Sequence, residues 1–228
     1  MANEFQGQNQ SGVVTQQTFI QQVYQWMAAG LAITGVISFW AAGNESVLKF
    51  MVGGGFWVVM LAEFALVIGL SAFILKLSTQ MATLLFLAYS ALNGLSLCFI
   101  FAVYTGSSIA ATFFITAGTF AGVSVFGWVT KSDLTSLRGF LFMGLLGVVI
   151  ASVVNIFLKS TALEWILTYA GLAVFIGLTA YDTQKLKAIH QNGAAATGQI
   201  AILGALQLYL DFINMFLLLL RIFGRRRD

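Results

Sequence analysis

Three carboxylates stand apart from the other ionisable residues of this 228-residue chain. Asp211 lies about eleven residues into an apolar run and about ten residues before the next cation, Arg221, roughly 15 Å along a helix. Glu63 lies about ten residues into another run, with Lys76 roughly 20 Å away by the same rise. Asp182 sits where a third run meets a polar stretch. A carboxylate at bilayer depth is costly, so it must face protein and have a partner or a role. Gln207 at i−4 and Asn214 at i+3 put two amides on the helix face of Asp211. If Asp182 and Asp211 meet, the two groups cannot both be charged cheaply and share a proton. Protonated, such a pair joins two helices through one strong hydrogen bond. Deprotonated, it repels itself and attracts a cation. The plainer alternative is that Asp182 only caps or solvates a loop. Asn93 with Ser96, and Ser152 with Asn155, repeat the polar spacing and read as hydrogen-bonding glue between helices.

The elements that must position these acids follow from composition. Hydrophobic residues make up 59% of the chain and charged residues 8%, with 21 Phe and no proline; mean hydropathy is +0.91. A soluble domain carries about 25% charged residues. The balance excludes a cytosolic enzyme, a disordered chain and a disulfide scaffold, and predicts an all-α integral membrane protein. The single Cys98 reads as a small core residue. The net charge of +3 reads as positive loops beside a membrane rather than as a nucleic-acid surface. The first apolar run lacks a basic segment before it, so it reads as a retained helix rather than a cleaved signal.

Seven apolar stretches of spanning length predict seven helices: about 24–42, 54–75, 81–104, 109–129, 140–158, 163–181 and 200–223. Residues 1–18, rich in Gln, Asn, Ser and Gly, read as a disordered tail, 19–224 as one seven-helix membrane domain, and 225–228 as a basic tail. Polar segments at 131–138 and 182–199 read as loops on the cytoplasmic side. Seven spans divide the cations five against six between the two sides, whereas a re-entrant last segment would divide them nine against two, which the positive-inside rule favours. Against that, the last segment has no glycine between Gly204 and Gly224, and an unbroken run suits a full helix. Seven full helices are therefore expected. The 23 glycines permit close helix approach, and Gly118 with Gly122 in GTFAG reads as packing within the chain.

GLTAYDTQKLK (177–187) and LQLYLDFINMFLLLLRIFG (206–224) resemble the Bax inhibitor-1 family, also called the transmembrane Bax inhibitor motif family, and most closely its bacterial inner-membrane members. The likeness covers about residues 20–224. It implies a seven-helix fold with the C-terminal helix central, a multi-pass inner-membrane location, and a pH-sensitive calcium leak. By motif, the family's gating aspartate pair falls on Asp182 and Asp211, and its acid lining the cation path on Glu63. Some members pair an arginine late in the second helix with an aspartate; here that segment offers only Lys76, so the latch is not expected.

The leading expectation is a cation leak with Ca²⁺ as the permeant ion and no cofactor. Ca²⁺ takes carboxylate and carbonyl oxygens, and conduction needs weak binding, so Asp182 and Asp211 would form at most a transient site. Asp211, Glu63, Gln207 and Asn214 would line the path. A proton-coupled exchanger using the same acids is the first alternative. A regulator that binds other membrane proteins, such as proteases, is the second. Catalysis is not expected: residues 208–211 read Leu-Tyr-Leu-Asp rather than the Gly-x-Gly-Asp of intramembrane aspartyl proteases, and the lone His190 provides no dyad. The expected partners are the lipid bilayer, Ca²⁺ and H⁺, with no nucleic acid.

Overall fold

The computed structural model describes residues 2–191 and 197–227, with side chains from Phe19 onward except that of His190. The expectation of a disordered tail at 1–18 lies outside the residues whose side chains are described. Among the described residues nine α-helices run in order: α1 (Ala2–Ala42), α2 (Glu45–Phe50), α3 (Phe56–Phe73), α4 (Thr79–Ser96), α5 (Ile100–Val103), α6 (Gly106–Val129), α7 (Arg138–Leu158), α8 (Thr161–Gln191) and α9 (Gly198–Phe223). There is no strand among the described residues. Together the helices make, among the described residues, seven spans long and apolar enough to cross a membrane. In lipid only a helix satisfies its own backbone in this way. The polar breaks carry the caps: Asn44 accepts from the amides of Ser46 and Val47, Ser78 from that of Met81, and Asp133 from that of Thr135.

Two spans are interrupted. The second comprises α2, a π-turn at Met51–Gly55 and α3, and Gly54 sits at φ +107°, where a side chain would strain. The third breaks after Ser96 into a 3₁₀ turn, Leu97–Phe99, before α5. The last span is continuous. Its 26 residues extend about 39 Å at 1.5 Å per residue, more than the roughly 30 Å of hydrocarbon. It is therefore a full helix and not a re-entrant hairpin. Two-thirds of its span is buried, against one-third or less in each of the other six.

The polar loop expected at 182–199 is shorter than its composition suggested. Helix α8 continues through Asp182 to Gln191. Leu186, 2% exposed, anchors the added turns, and Gln184 ties them to the preceding loop by donating to Ser132 O (2.9 Å) and accepting from Leu134 N (2.8 Å). Asp182 thus lies within a helix rather than at its end, and the backbone of His190 is helical too.

The chain forms two compact units, Met1–Ile100 with Leu186–Tyr209, and Phe101–Lys185 with Leu210–Asp228. In the first, α1 and α4 meet closely: a Cβ at Gly94 would lie 2.8 Å from Thr34 O. Cys98 is a buried core residue with Ala41, Met51 and Val59, as its apolar setting suggested. In the second, Phe212 packs against Phe113 and Phe120, and Leu134, Leu141, Ala180 and Tyr181 form a core cluster. Gly118 and Gly122 are exposed, and a Cβ at either meets nothing within 4 Å. The expected GxxxG packing within the chain is absent; Gly127, on another face of α6, makes the close contact instead, against the backbone of Ala180. The basic end does not trail away. Thr105 N donates to Arg225 O (3.0 Å), Arg227 N to Val103 O (2.9 Å) and Arg225 N to Ser108 Oγ (2.7 Å), so Gly224–Arg227 is docked on the turn between α5 and α6.

Candidate functional site

Asp182 and Asp211 both belong to the second unit, one on α8 and one on α9. Asp182 is 9% exposed and Asp211 5%. The charge of Asp182 acts on Asp211, and Lys185, one turn along α8, acts on Asp182. Asp211 Oδ2 is buried without a hydrogen-bond partner among the described residues. A buried acceptor lacking a donor costs about 1–3 kcal/mol, so this oxygen calls for a proton or a cation. Around Asp182, Thr183 Oγ1 reaches Ser124 Oγ at 3.5 Å.

The amides expected beside Asp211 do not serve it in the same way. Asn214 Nδ2 donates to Leu210 O at 2.7 Å, closing one turn of its own helix. Gln207 is half-buried in the part of α9 that belongs to the first unit.

Glu63, on α3 in the first unit, is half-buried and accepts from Ser96 Oγ at 2.6 Å. Asn93 is its second hydrogen-bonding neighbour. The Asn93/Ser96 pair, legible as interhelical glue, thus joins α4 to α3 at this acid. Asn93 Oδ1 accepts from Tyr209 OH at 3.0 Å, Tyr209 OH bonds Thr34 Oγ1 at 2.6 Å, and Thr34 Oγ1 also reaches Ser90 O at 2.8 Å. Tyr209 and Thr34 went unnoticed in the sequence. The available signal was a phenol inside the Leu-Tyr-Leu-Asp string at bilayer depth, where a hydroxyl needs a partner. The second polar pair does something simpler: Asn155 Oδ1 accepts from Ser160 N at 3.0 Å beyond the end of α7.

Two other cations are engaged elsewhere. Lys76 Nζ lies over the Phe73 ring, 5.7 Å from its centroid. Arg221 pairs with Glu164 at 3.5 Å and reaches Thr168 Oγ1 at 3.5 Å, linking the end of α9 to the start of α8.

Comparison with known proteins covers nearly the whole chain. The chain matches the family described as inhibitor of apoptosis-promoting Bax1 over residues 16–228. It is 51% identical over 217 residues to the inner membrane protein YbhL of Escherichia coli K12, covering 92% of this chain and 93% of that one. It is 41% identical over 226 residues to an uncharacterised protein of Borreliella burgdorferi, covering 97% of each. It is also 41% identical over 213 residues to protein RP147 of Rickettsia prowazekii, covering 92% and 90%. With seven spanning helices and a family match across nearly the whole chain, the protein belongs to the Bax inhibitor-1 family of membrane proteins.

Proposed function

We propose that this chain is a pH-sensitive cation leak, with calcium as the permeant ion, gated by Asp182 and Asp211 in a bacterial inner membrane. The location follows the similarity to an inner membrane protein. The observation that carries the gate is the orphaned Asp211 Oδ2, buried on α9 within reach of the Asp182 charge on α8. One proton shared between the carboxyls supplies the missing donor and draws α8 to α9. Loss of that proton leaves two buried like charges, which separate the helices or recruit a cation. Ca²⁺ suits carboxylate and carbonyl oxygens, and two acids with few further ligands hold it weakly enough to let it pass. Glu63 supplies a further anionic oxygen along the path.

The test is Ca²⁺ flux into liposomes containing the purified protein, measured across pH. Asp211→Asn removes the shareable charge and abolishes the pH response. An unchanged pH response in that variant overturns the gate. Uphill Ca²⁺ movement driven by an imposed pH gradient would replace the leak with an exchanger.

A further inference from the structure

The hydrogen-bonded cluster in the first unit ends on the helix that carries Asp211. From Glu63 it runs to Ser96 and Asn93 on α4, then to Tyr209 on α9 and Thr34 on α1. Tyr209 is 0% exposed, and its ring packs edge-on against Phe86 and Tyr89, each at 5.8 Å between centroids. These contacts hold the ring, and the hydroxyl connects it to polar partners. It donates its proton to Asn93 Oδ1 and can accept the Thr34 hydroxyl proton at 2.6 Å, for which Ser90 O competes. Tyr209 and Asp211 are two residues apart on a continuous helix, which puts them about 3 Å apart along the axis and about 200° apart around it. Both lie on the same continuous helix.

We propose that Tyr209 is a positioning residue whose hydroxyl fixes Asn93, and through Asn93 the Glu63 carboxyl, so that a shift of α9 at Asp211 changes how Glu63 is held. The inference rests on the gate reading given above for Asp182 and Asp211. The titratable groups acting with Glu63 are Tyr89 from α4 and Tyr209 from α9; α1 contributes the uncharged Thr34. The carboxyl of Glu63 is met by hydroxyl and amide groups, while Lys49 pairs with Glu45 and Arg221 with Glu164. In the second unit, Asp211 answers to Asp182, and Asp182 to Lys185. Hydrogen bonds to Asn93 and Ser96 are therefore the means by which Glu63 is oriented, and Tyr209 is the one member of the cluster that moves with α9.

Tyr209→Phe deletes the hydroxyl and keeps the ring in its aromatic setting. Two readouts follow. In infrared difference spectra, the Glu63 carboxyl band, identified by its disappearance in Glu63→Gln, shifts in Tyr209→Phe. In liposomes, Tyr209→Phe changes Ca²⁺ flux at fixed pH by roughly threefold to tenfold, the effect of losing about one hydrogen bond, and this change vanishes in the Glu63→Gln background. An unmoved Glu63 band, or an equal flux change with and without Glu63, overturns the proposal. Flux that keeps its pH response in Asp211→Asn overturns the gate reading instead, and the infrared band still decides whether Tyr209 holds Glu63. Asn93→Leu breaks the same connection one step on and reproduces the band shift of Tyr209→Phe if the connection runs through Asn93; failure to do so also counts against it.

Discussion

Gly127 on α6 backs directly onto Ala180 on α8: a Cβ at Gly127 would lie 3.1 Å from both Cα and C of Ala180 and against its carbonyl oxygen. Ala180 is two residues before Asp182, so this contact sets how close α6 and the helix that carries Asp182 can come. Backbone atoms cannot swing aside as a side-chain tip can. Gly127→Ala should therefore push the two helices apart and cost about 1–3 kcal/mol, the usual penalty for overpacking. Thermal unfolding in detergent reads the loss as a lowered Tm. Gly118→Ala and Gly122→Ala are the controls, because both positions open onto free space; each should stay within about 0.5 kcal/mol of the parent protein.

Arg221 and Glu164 form the ion pair that joins α9 to α8. Both side chains are nearly half exposed, and the separation is 3.5 Å, so the pair should contribute under about 1 kcal/mol. A double-mutant cycle of Glu164→Gln and Arg221→Gln, followed by thermal unfolding, should give a coupling energy in that range that shrinks with added salt. Arg221→Gln should cost somewhat more than Glu164→Gln, because it also gives up the reach to Thr168 Oγ1. A coupling of several kcal/mol would instead mark this pair as a true latch between the helices.

The spans were legible because the membrane enforces a simple rule of length and apolarity, and the acids because charge is so scarce at that depth. The resolution of the last segment as a full helix was foreshadowed by the absence of glycine between Gly204 and Gly224. Three things were not legible. Asp182 read as a helix end because polarity begins there, but Leu186 and the Gln184 bonds to the preceding loop carry the helix on for nine more residues, to Gln191. GTFAG read as a packing seam because spacing says which glycines share a face but not what that face meets. Tyr209 was hidden among aromatic and aliphatic neighbours because its role depends on Thr34 and Asn93, at 175 and 116 positions' remove. Each miss concerns a contact distant in sequence, which local pattern does not encode.

The docked C-terminus should resist cleavage. Arg225 and Arg227 are held to Thr105 and Val103 through their backbones, and a protease needs that backbone free and extended. Gly224 makes the docking possible: a Cβ there would lie 2.6 Å from the Tyr104 ring and against Leu220 O. Gly224→Ala should release the segment. Limited trypsin digestion, followed by mass spectrometry, should remove the basic end of the variant well before that of the parent protein. Equal rates would show that the backbone bonds do not protect it.

The loop before α7 should loosen in acid for an identifiable reason. Asp133 accepts from Thr135 N at 2.9 Å and Thr135 Oγ1 at 2.6 Å, and these bonds hold its carboxyl below the usual carboxylate range. A depressed folded value means that the cap contributes its stability above the unfolded value, 3.8, and loses it as pH falls through the folded one. Asp133→Ala lacks the cap at every pH. Amide hydrogen exchange at Thr135, compared at matched pH and corrected for intrinsic rates, should therefore be faster in Asp133→Ala than in the parent protein at neutral pH, with the difference closing only below that ordinary value. Gln184→Ala provides a contrast. It removes the bonds to Ser132 O and Leu134 N without touching a titrating group, so it should speed exchange at Leu134 equally across the same range. A pH-dependent effect of Gln184→Ala would mean that the loop's acid sensitivity resides elsewhere than in the Asp133 cap.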